Sequence, residues 1–495
     1  MASRTTPVPL LSQLSVPSGR RPAAHLVGIG GSGMKALAEL LSGLGWKVTG
    51  SDERASEVLD RMRRQGLRVF TGHDDACLPA VVDVLVHSSA VEPENAERAE
   101  AARRDVPQKT LAEMLGLLMS DRVGTAVAGT HGKSTTTAMA ATILRRAGRQ
   151  PSVAFGAELC GSGSSGWAGD GELLVVEGCE YRRNFLALRP THAAILNVEA
   201  DHFDCYADFD AVKAAFGEFA GRLPAGGVLV ARGDCDAAME AAFRSAGRVV
   251  TFSGDPSGDY WAADQRLRDG GTRFRVFCRG EYLAEITLRI PGPHNVMNAL
   301  AAVALCHELG VDPYDIREGL WEFRGVRRRF ETVGSWRGRL LIDDYAHHPT
   351  AVRAVLEAAR RQYPERKLWC AFQPHQVGRT LALLPEFAKS LALADGVLIV
   401  PVYAAREPLE TAPPAASGNR AASGGRGVVE TASVLADAVA SEGVAVCFLP
   451  SLDLLAGAVD DETRPGDILV TMGAGDIDRV HHEFSRRLRR HHAAG

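Results

Sequence analysis

Val123-Gly-Thr-Ala-Val-Ala-Gly-Thr-His-Gly-Lys-Ser-Thr-Thr-Thr137 decides the fold class. It opens as a short buried strand, turns through Gly129-Thr130-His131-Gly132-Lys133-Ser134, and continues as a helix. A strand, a glycine loop and a helix in that order aim backbone N–H groups and the positive end of a helix at one point. A phosphate chain suits that point. Lys133 is expected to neutralise the β- and γ-phosphates, and the Ser134 hydroxyl to reach Mg²⁺. Gly129, Thr130, His131, Gly132, Lys133, Ser134 and Thr135 are the expected ATP contacts. The loop is the short G-x-x-G-K-S form, with Val127 where the longer pattern carries its first glycine.

Outward from this segment, strand and helix patterns alternate almost throughout, which predicts parallel α/β domains. Upstream lie His25–Ile29, a glycine loop, a helix over about Met34–Leu44, and strands at Trp46–Thr49, Arg68–Phe70 and Val82–Val86. A helix near Thr110–Met119 closes that region. Downstream, strands are expected near Leu173–Val176, Ala193–Asn197 and Gly227–Ala231. Short strands and turns follow over about Val249–Ile290, then a helix over Asn295–Leu309. Gly338–Asp343 opens a further set, with strands at Leu368–Phe372, Gly396–Val400 and Asp467–Val470. The predicted domains are 21–120, 121–330 and 331–495, after a loose tail over 1–20. A flexible loop is expected at Ala412–Arg426, and a solvated, basic helix end at Arg486–His492.

Size and composition agree with this division. A chain of 495 residues is too long for one ordinary core. A hydrophobic content of 46% and a charged content of 23% are those of a globular protein. The net charge of −4 gives no reason to expect nucleic acid. The longest apolar runs are strand-length, so no membrane insertion is expected. The nine cysteines form no C-x-x-C pair and read as reduced thiols of a cytoplasmic protein.

Five further segments carry chemistry. Gly28-Ile-Gly30-Gly31-Ser32-Gly33 follows a strand and opens a helix, and Asp52 follows Gly33 by 19 residues. Alone, this fingerprint favours NAD, but the loop equally suits the diphosphate of a UDP-sugar. Glu177-Gly-Cys-Glu180-Tyr181 and Asn197-Val-Glu-Ala-Asp201-His202-Phe-Asp204 each end a strand, where α/β domains bind ligands. Glu177 is the expected Mg²⁺ carboxylate, and His202 a candidate for a second ion. Asp343-Asp344-Tyr345-Ala-His347-His348-Pro349 reads as a substrate or nucleotide contact. Arg379, in Gln373-Pro-His375-Gln-Val-Gly-Arg379, is placed to clamp a carboxylate.

Together with Gly292-Pro-His-Asn295-Val-Met-Asn-Ala-Leu-Ala-Ala302, Arg328-Arg329-Phe330-Glu331 and Met472-Gly-Ala-Gly-Asp476, these segments resemble the Mur ligase family. They run in family order from about residue 25 to 476. The resemblance implies an α/β chain of three domains: an N-terminal Rossmann-like UDP-binding domain, a central P-loop ATPase and a C-terminal Rossmann-like domain. It implies ATP- and Mg²⁺-dependent ligation of L-alanine to the lactyl carboxylate of UDP-N-acetylmuramate, through an acyl phosphate, by a monomer or homodimer. By that resemblance Lys133, Glu177 and His202 are catalytic, and Ser134, Glu177 and His202 hold metal. Asn295, Arg329 and Asp344 contact ATP. Gly30, Ser32, Gly33 and Asp52 hold the UDP-sugar, and His348, His375 and Arg379 the amino acid. Ser134 stands where the family commonly has Thr, Gly178 where Ala is common, and Gln376 where some members carry Arg. Three competing readings are a ligase that recycles a tripeptide onto the same sugar nucleotide, an NAD-dependent oxidoreductase and a non-catalytic nucleotide-binding regulator.

Overall fold

The first five strands are β1 (Ala23–Val27), β2 (Lys47–Asp52), β3 (Arg68–Thr71), β4 (Val84–His87) and β5 (Gln108–Thr110). They form one parallel sheet in the order β3-β2-β1-β4-β5. β1 is buried along its whole length, as a central parallel strand covered on both faces must be. The chain leaves it at Gly28, whose φ of +82° suits glycine, and enters the helix Ser32–Gly43. Strand order reverses between β1 and its neighbours β2 and β4, so the glycine loop lies at a topological switch point. The chain is described here from a computed structural model, over residues 19–268, 270–405 and 427–493. The expected tail, except for its last two residues, and the Ala412–Arg426 loop lie outside the described residues.

The second sheet holds β6 (Val123–Ala128), β7 (Ser152–Ala154), β8 (Gly166–Trp167), β9 (Leu173–Gly178), β10 (His192–Ile195), β11 (Val228–Arg232), β12 (Arg248–Ser253), β13 (Tyr260–Arg268), β14 (Gly271–Cys278) and β15 (Glu281–Leu288). Its order is β15-β14-β13-β12-β11-β10-β6-β9-β7-β8. β6 runs parallel to β9 on one side and to β10 on the other. Its switch point therefore lies at the end of the strand that carries the P-loop. The region expected to hold short strands instead holds three strands of eight or nine residues, β13 to β15. β14 passes to β15 through Arg279 and Gly280, with φ of 49° and 86°, the two-residue turn that joins antiparallel neighbours.

The third sheet holds β16 (Glu331–Trp336), β17 (Arg339–Asp344), β18 (Leu368–Phe372), β19 (Gly396–Ile399), β20 (Ala445–Phe448) and β21 (Ile468–Met472), in the order β16-β17-β21-β18-β19-β20. β16 is antiparallel to β17 and the other pairings are parallel.

Contacts divide the chain into two compact units. One comprises the residues up to Arg266 with Arg273–Arg289 and Asn295–Val326; the other comprises Leu267–Thr272, Ile290–His294 and residues from Arg327 onward. The first two sheets thus share a unit, and small residues are the reason. A Cβ on Gly166 of β8 would lie 2.0 Å from the Ala36 carbonyl of the first helix. A Cβ on Gly116, in the helix Leu111–Met119, would lie 2.0 Å from the Ala187 carbonyl. Backbone meets backbone at both points, and one hydrophobic core runs from Ala24 to Ala242. That core holds the glycine loop and the P-loop in the same compact unit.

Candidate active site

The P-loop leaves β6 with φ of +148° at Gly129, and Gly132 caps the helix Lys133–Arg146 with φ of +85°. No side chain caps this helix, so its first N–H groups are open to an anion. A Cβ on Gly132 would fall 2.2 Å from Asn298 Oδ1. Asn298 in turn donates to Asn295 Oδ1 at 3.2 Å. Asn197, just past β10, braces the loop: its Oδ1 accepts from His131 N at 2.8 Å and its Nδ2 donates to His131 O at 3.1 Å. Thr130 donates its N–H to Asn197 O at 3.0 Å, and its hydroxyl accepts from Glu199 N at 2.9 Å. The segment that follows β10 therefore fixes the loop from that side.

Lys133 occupies the first helical position, where the helix dipole disfavours a cation. Its ammonium donates to Gly129 O at 2.6 Å and Thr130 O at 3.0 Å, and sits 2.9 Å from Glu180 Oε2. Burial pulls its affinity for a proton down, but Glu180 more than offsets this and leaves it above the ordinary lysine value. Glu180 responds in the opposite sense. Burial alone would raise it, and Lys133 and His202 together hold it below the usual carboxylate range. His202 Nε2 lies 3.3 Å from Glu180 Oε1, and Tyr206 donates its hydroxyl to Glu180 O at 2.6 Å.

Ser134 donates its hydroxyl to Glu177 Oε2 at 2.8 Å, and the same oxygen accepts from Gly156 N at 2.7 Å. Glu177 ends β9 beside β6, in register with Val127. A hydroxyl and a carboxylate held in contact at the mouth of a phosphate loop are hard oxygen donors of the kind Mg²⁺ takes. The structure thus gathers Lys133, Ser134, Glu177, Glu180 and His202 at one end of the second sheet. Glu180, Asn197 and Asn298 were not singled out from the sequence as site residues. Glu180 stands three residues after Glu177, and two acids at that spacing do not announce which meets the lysine.

In the glycine loop, Gly28 and Ile29 donate N–H bonds to Ser51 O at 2.8 and 3.0 Å, and Gly30 donates to Asp52 Oδ2 at 2.9 Å. Asp52 thus holds the loop itself. Ser32 and Gly33 open the helix without a side-chain cap, leaving its N-terminus to a diphosphate.

The second unit carries the remaining expected residues. Both Asp344 oxygens are taken by backbone: Oδ2 accepts from Phe330 N and Oδ1 from Ala346 N, each at 2.7 Å. Burial raises its proton affinity against the pull of Arg329. The Arg329 guanidinium lies 5.0 Å from the Tyr345 ring centroid. His348 caps the helix Pro349–Gln362. Arg379 is buried, with Nη1 3.1 Å from His375 Nδ1, and His375 stacks on Tyr403 at 5.8 Å. His375 and Arg379 are thus brought together.

Asp343 gives this unit a pH signature. Burial pushes its carboxyl up to about 7, against the opposing charge of Arg328 at 3.4 Å. A folded value above the unfolded one means that the folded state binds the extra proton. The associated stability is full below about pH 4 and is lost as pH rises through 7. Asp343→Asn should therefore raise the thermal midpoint at pH 8 by roughly 4–8 °C, corresponding to about 2 kcal/mol. The gain should shrink towards pH 5. Paired melts of variant and parent at the two pH values check this, since the nearby His481, lowered to about 4 by burial, titrates in both proteins.

Comparison with known proteins agrees with this arrangement. Residues 23–123 match the model for the Mur ligase family catalytic domain, 127–306 the Mur ligase middle domain, and 328–475 the Mur ligase glutamate ligase domain. The chain is 43% identical to a UDP-N-acetylmuramate–L-alanine ligase of Acidothermus cellulolyticus, with 93% of each chain covered. It is 40% identical to a protein of the same name from Salinibacter ruber, covering 94% of this chain and 95% of that one. The solved UDP-N-acetylmuramate–alanine ligase of Thermotoga maritima superposes with a TM-score of 0.78 at 28% identity, covering 94% of this chain and 99% of that one. A murein peptide ligase of Psychrobacter arcticus, at 24% identity and a TM-score of 0.71 over 94% of this chain and 98% of that one, shares the fold. The three family models, a relative 43% identical over 93% of this chain, and a strand-borne carboxylate on the serine of a short glycine loop establish that this protein belongs to the Mur ligase family.

Proposed function

We propose that this protein joins L-alanine to the lactyl carboxylate of UDP-N-acetylmuramate with hydrolysis of ATP, a step in peptidoglycan precursor synthesis. One observation carries the phosphoryl chemistry: Lys133 and Ser134 in the first turn of a helix, with Glu177 of the neighbouring strand 2.8 Å from the serine hydroxyl. The names of relatives at about 40% identity, UDP-N-acetylmuramate–L-alanine ligases, support the choice of substrates.

The reaction brings a carboxylate onto a triphosphate, so its main demand is to offset accumulating negative charge. Lys133 supplies one positive charge on a short tether. Arrival of the phosphates exchanges its pairing with Glu180 for pairing with phosphate oxygens. The uncapped helix N-terminus and the Gly129–Gly132 backbone contribute fixed N–H dipoles that need no reorganisation. Ser134 and Glu177, with His202 near a second position, would hold Mg²⁺, which neutralises phosphate charge and orients the γ-phosphoryl group. The substrate carboxylate is itself the nucleophile and displaces ADP, giving an acyl phosphate. The alanine amine then attacks that carbonyl and releases phosphate. On the family resemblance, Asn295, Arg329 and Asp344 are taken as further nucleotide contacts, Asp344 holding the N–H of Phe330 beside Arg329. Gly30, Ser32, Gly33 and Asp52 form the UDP-sugar site. His348, His375 and Arg379 receive the amino acid, with Arg379 pairing its carboxylate. The domains are taken as 21–120, 121–330 and 331–495. The reaction places the protein in the cytoplasm; among the described residues no helix is long and apolar enough to cross a membrane.

Phosphate release from the purified protein with ATP and Mg²⁺ should require both UDP-N-acetylmuramate and an amino acid, L-alanine giving the highest kcat/KM in a panel with glycine, L-serine and a muropeptide tripeptide. Release that needs no sugar nucleotide, or that prefers the tripeptide, overturns the reading. Arg379→Ala should raise the KM for L-alanine by about 30-fold or more, as expected for loss of a bidentate carboxylate pair worth about 2–3 kcal/mol. The KM for ATP should move less than threefold; equal shifts remove Arg379 from the amino-acid site.

A further inference from the structure

Lys35 is an anomaly in its own helix. It is 4% exposed and lies in the first turn of Ser32–Gly43, where the helix dipole disfavours a cation and burial disfavours any charge. Two carboxylates offset both effects. Lys35 Nζ lies 2.5 Å from Glu158 Oε1 and 3.6 Å from Glu39 Oε1. Glu158 also accepts from Arg61 Nη1, on the helix Glu57–Arg64, at 2.7 Å.

Glu158 lies on a segment that reaches the phosphate site. Glu158 is two residues after Gly156, whose N–H holds Glu177 Oε2 at 2.7 Å. Further along the same segment, Glu39 Oε2 accepts from Ser165 N at 2.9 Å and Gly166 N at 2.8 Å. The helix that starts at the glycine loop is thus pinned at two places to residues 156–166. At the near end of that segment is the carboxylate that touches Ser134. All of these residues belong to one compact unit.

We propose that Lys35 and Glu158 are positioning residues that fix the glycine loop's helix relative to Glu177, so that a sugar nucleotide held at the loop presents its carboxylate at a set distance from the P-loop. This inference rests on the ligase reading above. Neither residue need touch substrate. Their ion pair transmits position through Gly156 N to Glu177 and so acts on the rate of the chemical step. A misplacement of about 1 Å at a reacting centre costs up to about 100-fold in rate.

The test is a cycle of Lys35→Met, Glu158→Gln and the double variant in the full-length protein. UDP-N-acetylmuramate affinity is read by calorimetry, and kcat by phosphate release with all substrates saturating. Each single variant should lower kcat by about 10- to 100-fold while the Kd for UDP-N-acetylmuramate stays within threefold. The double variant should lose no more than the worse single one, because the pair acts as a unit. Lys35→Arg should recover most of the rate. Raised Kd at unchanged kcat would make Lys35 a substrate contact and overturn the proposal; so would additive losses, or no loss. If Lys35→Met does not fold, Glu158→Gln and Lys35→Arg carry the same test. A parent protein that ligates no amino acid at all refutes the ligase reading rather than the positioning role.

Discussion

Lys133→Ala should reduce ligation by at least about 10³-fold while UDP-N-acetylmuramate still binds with a Kd within threefold of the parent. The lysine is the only side-chain cation hydrogen-bonded to the loop backbone among the described residues, and its ammonium is held by Gly129 O, Thr130 O and Glu180. Without it, only the backbone N–H groups of the loop and helix N-terminus, and the metal, would be left to offset the charge that builds up when a carboxylate meets the γ-phosphate. The variant has a second effect that needs separating from the first. Glu180 is buried, and without Lys133 its remaining side-chain partner is His202 at 3.3 Å. An orphaned buried carboxylate costs about 3–5 kcal/mol, so Lys133→Ala alone should also melt earlier. Lys133→Ala with Glu180→Gln should restore the thermal midpoint and leave turnover absent. Turnover near that of the parent in either variant would refute the assignment of the loop.

The parts legible in the sequence are those whose chemistry is local. The P-loop and the Gly28–Gly33 loop each pack a turn and a helix start into a few consecutive residues, and the structure places both at switch points, each at the end of a strand with parallel neighbours on both sides. Partnerships across strands were less legible. Glu177 and Glu180 share one segment, and only the register of β9 against β6 puts the first on Ser134 while the second meets Lys133. Asp52 and Asp344 read as ligand contacts from their positions at strand ends; the structure adds bonds that the sequence does not announce, from Gly30 N to Asp52 and from Phe330 N and Ala346 N to Asp344. The joining of the first two sheets rests on Gly116 and Gly166, where the message is an absent side chain that only a neighbouring carbonyl makes meaningful. Lys35 was silent for a related reason. A lysine in a helix reads as solvated until Glu158, 123 residues away, is seen beside it.

Glu177→Gln tests the metal side of the site with little disturbance to the fold. Its amide oxygen can still accept from Ser134 and Gly156, the two donors that Glu177 Oε2 serves in the parent at 2.8 and 2.7 Å. Loop geometry should persist, and the thermal midpoint should stay close to that of the parent. What the substitution removes is a full negative charge at the place where a divalent cation and the Ser134 hydroxyl would meet. Hard cations bind neutral amides far more weakly than carboxylates. The Mg²⁺ concentration for half-maximal rate should therefore rise by about tenfold or more, and kcat at saturating Mg²⁺ should fall by about 10²- to 10³-fold. Glu177→Asp keeps the charge but withdraws it by one methylene. It should recover part of the Mg²⁺ affinity and little of the rate, because the shorter side chain retreats from Ser134. If Glu177→Gln kept the parental Mg²⁺ dependence and rate, the carboxylate would be only a brace between the P-loop helix and Gly156, and the metal would have to be held elsewhere.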